Sequence, residues 1–434
     1  MSPEREALEA LFHAALGAVD PRVAVERVLV STGERLEIAG LPLSASARCV
    51  VLAAGKAAGA MAAAFEARAA GRIAHGLMVT KDAHAVPLER FEIREAGHPL
   101  PDARSRDAGV AALALVSEAG PDDALVVLLS GGASSLLSCP AEDLTLAELR
   151  ETTDLLLRAG AEIRELNCVR KHLTRVSGGR LAAASPARQI FVLAISDVLG
   201  DDWATIGSGP CAADPTTYAD ALRVLAHRAI LERVPAAVRA HLEVGAAGGR
   251  EESVKPGDPL LGRVRQRLIA CNRDALVALR AAAQRRGLVP VELTDRLRGE
   301  ASDVGRRLAA AARALCPGPP RLLLAGGEPT VTVHGGGRGG RAQQLALAAA
   351  IELAGDRRVA LLAAGTDGSD GSTPAAGAYV DGATLARGTA VGADARAALA
   401  DNDAYGFFSR EGGAFVTGPT GTNVMDLVLM RVAS

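Results

Sequence analysis

The sequence predicts two α/β domains with mainly parallel sheets, and three observations support this prediction. Short continuous runs of valine, leucine and alanine, such as Ala124–Leu129, are typical of strands that are buried on both faces. Most of these runs pass through glycine or polar residues into helical sequence rich in alanine and leucine. The chain has 434 residues, which exceeds the usual size of one hydrophobic core.

A change in composition predicts where the two domains meet. Glycine, proline and charged residues dominate the segment Gly245–Pro259, and such segments commonly separate periodic elements. We therefore predict an N-terminal domain over residues 1–245 and a C-terminal α/β domain over residues 260–434.

The elements follow in order along the chain. In the first domain, a helix with apolar residues from Leu8 to Ala15 precedes four predicted strands, and further helices begin at Ala108 and Thr145. These strands are Val50–Ala53, Gly76–Thr80, Ala124–Leu129 and Ile190–Ile195. In the second domain we predict helices over Asp274–Arg286 and from Arg341. The predicted strands there are Leu268–Ala270, Val289–Leu293, Leu322–Ala325, Thr330–His334, Val359–Ala363 and a last strand in the C-terminal tail.

Composition excludes several classes of function. The net charge is −2 and aromatic residues make up 3% of the chain, so we expect no nucleic-acid partner. No apolar run is long enough for a bilayer, and the N-terminus lacks the pattern of a signal peptide. Scattered cysteines without metal spacing predict reduced thiols in a cytoplasmic protein. The six cysteines are Cys49, Cys139, Cys168, Cys211, Cys271 and Cys316.

Polar or glycine residues follow nearly every predicted strand. Ligands of parallel α/β sheets bind beyond the carboxyl ends of the strands, so these residues predict one shared pocket or two separate clefts. The five segments are Gly55-Lys56, Ser130–Ser135, Ser196-Asp197, Gly326–Glu328 and Thr366–Asp370.

Two of these segments have the chemistry of an anion site. Lys56 can place a point charge on a phosphate, or it is a solvated lysine of a first helical turn. Ala57 stands where a Walker A loop needs serine or threonine. The next segment offers hydroxyls and unhindered amides, unless it is only a capping turn. Its candidate residues are Ser130, Gly131, Gly132, Ser134 and Ser135.

A glycine-rich loop, Gly335–Gly340, precedes Arg341 at the start of a predicted helix. Flexible glycines, free helix amides and a guanidinium together favour a polyanion. A plain mobile connector is the alternative. The loop also matches GxGxxG, the dinucleotide fingerprint, but the preceding run is short and polar and no acidic residue ends the following strand.

Other polar residues are candidates with stronger structural alternatives. Asp197 directly follows a strand and is the favoured carboxylate for Mg²⁺ or for a general base. Asn167 and Lys171 lie on a predicted amphipathic helix, where surface charges are the commoner outcome. His98, between glycine and proline, is more simply a loop histidine with a satisfied ring.

Taken together, the motifs resemble those of the class II glycerate 2-kinases, the family with a carboxyl-terminal MOFRL domain. The resemblance spans about Leu8 to Val432 and rests on an ordered set of motifs. They are AAGKAAGAM, AGHPLPDARS, LLSGGASSLL, LNCVRKHLTRVSGGRLA, SDVLGDDWATIGSGPCAADPTT, GGEPTVTV, GRGGRAQQLAL, AAGTDGSDGSTPAAGA and GPTGTNVMDL.

The resemblance implies transfer of phosphate from ATP, with Mg²⁺, to the 2-hydroxyl of D-glycerate. It also implies a larger, Rossmann-like N-terminal domain and a site in the interdomain cleft, to which the final segment could return. The family's essential lysine and arginine fall on Lys56 and Arg341. Further binding positions in the motifs are Asn167, Lys171, Gly327, Glu328, Gly337, Gly340, Asp367, Thr420 and Asn423.

The chain departs from the family pattern at four positions: Ala342 and Gln344 replace asparagine and glutamate, Pro374 replaces an acidic residue, and Met425 replaces a polar one. These departures affect the expected metal and substrate contacts. Two other functions stay open, an NAD(P)H-dependent reductase of hydroxypyruvate or tartronate semialdehyde and a non-catalytic protein that binds a sugar acid. A homodimer is a candidate assembly.

Overall fold

A computed structural model describes residues 2–32, 35–315 and 318–433. Within these residues the strands are β1 (Leu29–Thr32), β2 (Arg35–Ile38), β3 (Leu41–Pro42), β4 (Cys49–Ala54), β5 (Ile73–Lys81), β6 (Phe91–Ala96), β7 (Ala124–Leu129), β8 (Gln189–Ile195), β9 (Val264–Ala270), β10 (Val289–Leu297), β11 (Arg321–Gly327), β12 (Val359–Gly365), β13 (Gly377–Asp381), β14 (Ala414–Phe415) and β15 (Asp426–Val432).

The helices, apart from three short 3₁₀ turns, are α1 (Pro3–Ala18), α2 (Pro21–Arg27), α3 (Ala58–Ala69), α4 (Ala103–Ser117), α5 (Ala133–Leu136), α6 (Leu146–Arg158), α7 (Ile163–Leu173), α8 (Arg180–Ala183), α9 (Tyr218–His227), α10 (Ala236–Ala246), α11 (Asn272–Arg285), α12 (Ala301–Arg313), α13 (Arg341–Glu352), α14 (Thr384–Ala390), α15 (Ala395–Ala400) and α16 (Ala404–Glu411). Within the described residues, no helix combines the length and apolar character needed to cross a bilayer.

The chain folds into two compact units. We call Pro21–Ile269 the first unit, and Met1–Asp20 with Ala270–Ser434 the second unit. This division differs from the predicted one in two respects. The segment 245–260 lies inside the first unit, because Val254 exchanges backbone hydrogen bonds with Gly178 and Asp214 there. Helix α1 belongs to the second unit, where Phe12 packs edge-to-face against Phe415 at 5.4 Å.

The first unit is built on a six-stranded sheet in the order β6-β5-β4-β7-β8-β9. Every pair from β6 to β8 is parallel, which confirms the predicted parallel α/β architecture. Strands β4 and β7 are buried at all six positions, as expected for strands covered by helices on both faces. Helices α6, α7, α9 and α10 form a separate apolar cluster in the same unit.

The second unit contains a mixed sheet in the order β10-β11-β15-β12-β13-β14. The prediction of a mainly parallel sheet was wrong here. The C-terminal strand β15 inserts antiparallel between β11 and β12, and β13 adds a further antiparallel pair with β12. Residues Thr330–His334 form a loop with one isolated bridge at Thr330, so the strand predicted there was also wrong.

Five of the six cysteines are free and buried. Burial raises the pKa of the Cys211 thiol to about 12, which makes the thiolate scarce at neutral pH. Cys316 lies outside the described residues.

Candidate functional site

The strand order of the first unit defines where a ligand is expected to bind. From the central strand β4 the chain moves outward through β5 and β6, then crosses to β7 on the other side and continues outward through β8. The order reverses between β4 and β7, and ligands of doubly wound sheets bind at this reversal, beyond the carboxyl ends of the strands. The turns that follow β4 and β7 therefore form the candidate site.

These two turns are bonded to each other. The Lys56 amide donates to the Gly131 carbonyl at 2.9 Å, and the Ala57 amide donates to Ser130 Oγ at 3.1 Å. Gly55 has a φ of +126°, and a Cβ at this position would overlap Ser130. Ser130 therefore joins the two turns and is less accessible to a ligand than the sequence suggested.

The Lys56 side chain lies beside the turn after β7. Its Cγ is 3.4 Å from the position that a Cβ on Gly132 would occupy, and the residue is half-buried. Across residues 2–32, 35–315 and 318–433, its ammonium has no hydrogen bond or ion pair. A half-buried cation without a carboxylate partner is costly unless a ligand or water satisfies it, so this geometry favours an anion-binding lysine over a lysine that serves packing.

His98 also lies beside this turn, a placement that the sequence did not predict. Its ring lies 3.0 Å from the same Cβ position on Gly132, and within the described part of the chain it has no hydrogen-bond partner. Burial, together with the charges of Lys56 and Lys81, lowers the pKa of His98 to about 4, so the imidazole is neutral at pH 7. Strand β6 ends just before His98 and is parallel to β5, so a prediction of this strand from the sequence would have placed His98 at the same edge of the sheet as Lys56.

Asp197 follows β8 and lies against the turn after β7. A Cβ on Gly131 would overlap the Asp197 carboxylate, which means that only glycine permits this approach. Asp197 is half-buried. The edge of this sheet therefore brings Lys56, the turn after β7 and Asp197 together.

A chain of hydroxyl and amide groups extends from this turn to helix α7. Ser134 Oγ lies 2.8 Å from Ser208 Oγ, and Ser208 donates to Asn167 Oδ1 at 3.2 Å. Ser135 instead donates to the Pro99 carbonyl at 2.8 Å. Asn167 is therefore coupled to the site through two hydrogen bonds, whereas Ser135 is used within the fold.

Lys171, one turn further along α7, is also buried. Its ammonium lies 3.4 Å from Asp214 Oδ1. Burial alone would raise the pKa of Asp214, but Lys171 and hydrogen bonds from Thr216 and Ser253 hold that pKa below its ordinary value. The expectation that Asn167 and Lys171 are surface polar groups was wrong, since each is only 4% exposed.

In the second unit, Arg341 begins helix α13 at the edge where β11 and β12 end. Its guanidinium donates to both carboxylate oxygens of Asp426, at 2.6 and 3.1 Å, and to Glu328 at 2.6 Å. Burial lowers the pKa of Arg341, but the two carboxylates more than offset this and the net shift is upward. The sequence did not indicate Asp426 as a site residue, because a single acidic residue at the start of an apolar strand carries no specific signal.

The N-terminus of α13 is occupied by a carboxylate of the protein. Asp370 accepts hydrogen bonds from the backbone amides of Ala342 and Gln343 at 3.0 and 2.8 Å. Burial and the nearby charge of Asp426 raise the pKa of Asp370 to about 6, against these hydrogen bonds. The expected anion site at this helix end is thus filled by a side chain about thirty residues away in sequence.

The amides of the glycine-rich loop are used in a similar way. Gly335 and Gly336 donate to the side chains of Asn402 and Asp401 at 3.1 and 3.0 Å, and Gly337 donates to the Asp401 carbonyl at 3.0 Å. A Cβ on Gly340 would overlap Asp370. The loop is ordered against the turn 401–403, and because no strand precedes it, it lacks the context of a dinucleotide fingerprint.

The remaining predicted residues hold neighbouring loops together. The Thr420 amide donates to the Asp367 carbonyl at 3.4 Å, and Asn423 Oδ1 accepts from the Met425 amide at 3.1 Å. Gly327 has a φ of +144° and packs against the backbone of Leu297. These residues surround the edge that carries Glu328 and Arg341.

Three of the four residues that depart from the family pattern are buried within the second unit. Gln344 is buried and donates to the Leu399 carbonyl at 3.0 Å, and Ala342 and Met425 are each 2% exposed. Pro374 is exposed, and nothing in the structure explains its replacement of an acidic residue.

Comparison with known proteins identifies the family. Residues 7–243 match the model of the domain of unknown function DUF4147, and residues 321–426 match the MOFRL family. The chain is similar to the glycerate 2-kinase of Pyrococcus horikoshii, at 39% identity with coverage of 97% of this chain and 95% of the relative. It is also 42% identical to a protein of Agrobacterium vitis named provisionally as a hydroxypyruvate reductase, with coverage of 98% and 93%.

A crystal structure of glycerate kinase from Thermotoga maritima superposes with a TM-score of 0.86 at 36% identity, covering 99% of this chain and 100% of the other. These matches span both units and nearly the full length of each partner. The chain therefore belongs to the glycerate 2-kinase family in which a DUF4147 domain is followed by a MOFRL domain.

Proposed function

We propose that the chain transfers the γ-phosphoryl group of ATP to the 2-hydroxyl of D-glycerate, giving 2-phosphoglycerate and ADP. The observation that carries this proposal is the Lys56 ammonium, which has no protein partner in the described residues and lies beside the Ser130–Gly132 turn at the reversal of the sheet. Together with the family, this site favours phosphoryl transfer over the other functions that the sequence left open.

Phosphoryl transfer depends on positioning and on neutralising negative charge as it spreads over the transferring group. Lys56 supplies a positive charge for this purpose, and the amides of the turn after β7 hold phosphate oxygens beside it. Arg341 is the second cation that the family resemblance indicates. A guanidinium has five N–H donors, and its hydrogen bonds to Asp426 and Glu328 use three of them.

Asp197 is the residue that we propose to hold Mg²⁺ or to accept the hydroxyl proton. The described residues contain no group of three or more histidine, cysteine or acidic side chains suited to a metal ion. A single carboxylate nevertheless fits Mg²⁺, which in kinases takes one or two carboxylates together with phosphate oxygens. When bound, the ion would neutralise phosphate charge. His98, neutral at pH 7, lines the site without adding charge.

The reductase alternative has less structural support. The turn after β4 reads Gly55-Lys56-Ala57-Ala58-Gly59 and lacks the glycine spacing that a bound dinucleotide requires. The GxGxxG loop of the second unit follows no strand.

We further propose that the protein functions in the cytoplasm, since the described cysteines are buried thiols. A homodimer is the assembly to test.

A coupled assay tests the proposal. ADP release that requires D-glycerate supports the kinase, whereas NADH oxidation that requires hydroxypyruvate would replace it with the reductase. A ligand-induced rise in Tm without either product would favour a protein that binds a sugar acid. Phosphorus NMR of the product distinguishes transfer to the 2-hydroxyl from transfer to the 3-hydroxyl.

A further inference from the structure

A cavity of about 440 Å³ opens in the first unit between helix α7 and the segments 202–205 and 212–216. Its lining includes Asn167, Lys171, Trp203, Pro215 and Gln266. The volume is within the range of small-molecule pockets, and it exceeds what a three-carbon acid would fill. The cavity combines an aromatic face with a few polar groups, which is the usual composition of a pocket for an organic ligand.

Trp203 provides the aromatic face. It is the only tryptophan of a chain in which aromatic residues make up 3%. The ring is partly buried against the apolar core that contains Ile206 and Cys211, and it also lines the cavity. Its indole N–H has no hydrogen-bond partner within the described ranges. One side of the ring is thus fixed by packing while the residue remains available to stack with a planar ligand.

Asn167 and Lys171 provide hydrogen-bond donors on the other wall. Asn167 Oδ1 accepts from Ser208, while the amide nitrogen has no partner in the described residues and is not among the fully buried polar atoms without partners. This nitrogen therefore keeps some exposure, in a residue that lines the cavity and is only 4% exposed. The Lys171 ammonium uses one of its three donors on Asp214.

The cavity is connected to the turn after β7. Asn167 is bonded to Ser208 and Ser208 to Ser134, over 3.2 and 2.8 Å. Two hydrogen bonds therefore link Asn167, which lines the cavity, to the turn that neighbours Lys56. A molecule with a planar ring at one end and phosphates at the other matches this arrangement of an aromatic wall, buried donors and a lysine.

We propose that this cavity binds the nucleoside of the phosphoryl donor, with the purine against Trp203 and the phosphates passing Asn167 and Lys171 toward Lys56. The inference rests on the proposed function and deepens it, because it assigns the nucleotide to the first unit. The buried Asn167 amide and the partly exposed tryptophan, rather than the glycine-rich loop, are the nucleotide-recognising groups.

Trp203 fluorescence tests the proposal directly, because no other tryptophan contributes to the emission. Titration of the full-length wild-type protein with ADP, and separately with adenosine, should change the emission saturably, whereas D-glycerate alone should not. Calorimetry measures ADP binding in parallel. Bound ADP without any change in emission, an emission change caused by D-glycerate but not ADP, or no ADP binding at all would each overturn the proposal.

Variants separate this inference from the proposed function. Trp203→Ala should raise the KM for ATP roughly tenfold or more, with the KM for D-glycerate unchanged, and Trp203→Phe, which preserves core packing, should raise it less. Val110→Ala in a separate cavity of the same unit is the control. An unchanged KM for ATP in folded Trp203→Ala overturns the inference while the kinase stands. Saturable ADP quenching without turnover keeps the inference and removes the kinase.

Discussion

Each unit has a basic residue close to glycine at the beginning of a helix, but the surroundings of this residue differ between the two units. In the first unit Lys56 has no protein partner in the described residues and lies at the reversal of the sheet. In the second unit Arg341 is held by Asp426 and Glu328, and Asp370 occupies the end of its helix.

The difference shows what decides whether such a pattern is open to a ligand. A basic residue and free helix amides attract any carboxylate. In the second unit the fold supplies carboxylates from β15 and from the loops after β11 and β12. In the first unit Asp197 lies against Gly131, and no hydrogen bond joins it to the Lys56 ammonium within the described residues. The first unit therefore presents a lysine without a carboxylate partner in the described residues, and four predictions test this comparison.

The largest effect is expected at Lys56. Lys56→Met should lower kcat by roughly 10³-fold, because the transferring phosphoryl group loses its cation. Steady-state ADP release measures the change, and circular dichroism confirms the fold. Lys56→Arg restores charge with a different shape and should recover part of the rate. A Lys56→Met enzyme of near-normal rate would remove Lys56 from the mechanism.

Arg341 should show a loss of both activity and stability. Arg341→Met leaves the buried Asp426 without its partner, which should lower the free energy of unfolding by about 3 kcal/mol and kcat by on the order of 10³. Adding Asp426→Asn should recover much of the stability, because the unpaired charge is gone, but not the rate. If the double variant regains both in urea unfolding and turnover assays, Arg341 has only a structural role.

Asp370 should make stability depend on pH. Its pKa is about 6 in the folded protein and near 3.9 in an unfolded chain, so the folded state binds more protons between these values. The free energy of unfolding should therefore fall by on the order of 2 kcal/mol as pH rises from 4 to 6, relative to Asp370→Asn. Urea unfolding of both proteins at several pH values measures this difference. Parallel curves for the two proteins would contradict the assignment.

The smallest expected effect is on His98. Lys56→Met should raise the pKa of His98 from about 4 toward 6.5, because one repulsive charge is removed while burial remains. Histidine-labelled NMR titration measures this pKa. Lys255→Met is a suitable control, since that ammonium pairs with Glu252 and is not among the charges that act on His98. An unchanged pKa in Lys56→Met would mean that the two side chains do not interact.

Sequence patterns were sufficient where local signals determine structure. The apolar runs of β4, β7 and β8 predicted the parallel sheet. Because parallel strands end at one edge, they also predicted polar residues along that edge. Local signals were insufficient where distant segments meet. The insertion of β15, the capping of α13 by Asp370 and the pairing of Asp426 with Arg341 depend on tertiary contacts that no spacing in the sequence reveals.

Two further misses have physical causes. Strand β6 mixes apolar and charged residues at the edge of its sheet, so it lacks the continuous apolar run of the buried strands. Because β6 was not predicted, the position of His98 at the end of this strand was not predicted either. The sequence around Asn167 and Lys171 has the pattern of a polar helix face. In the fold both residues are buried, where Ser208 contacts Asn167 and Asp214 contacts Lys171.

A crystal structure with a non-hydrolysable ATP analogue and D-glycerate tests the central claim most directly. We expect the γ-phosphoryl group within about 3 Å of Lys56 Nζ, beside the Ser130–Gly132 turn. A phosphoryl group bound in the glycine-rich loop of the second unit, with no contact to Lys56, would contradict it.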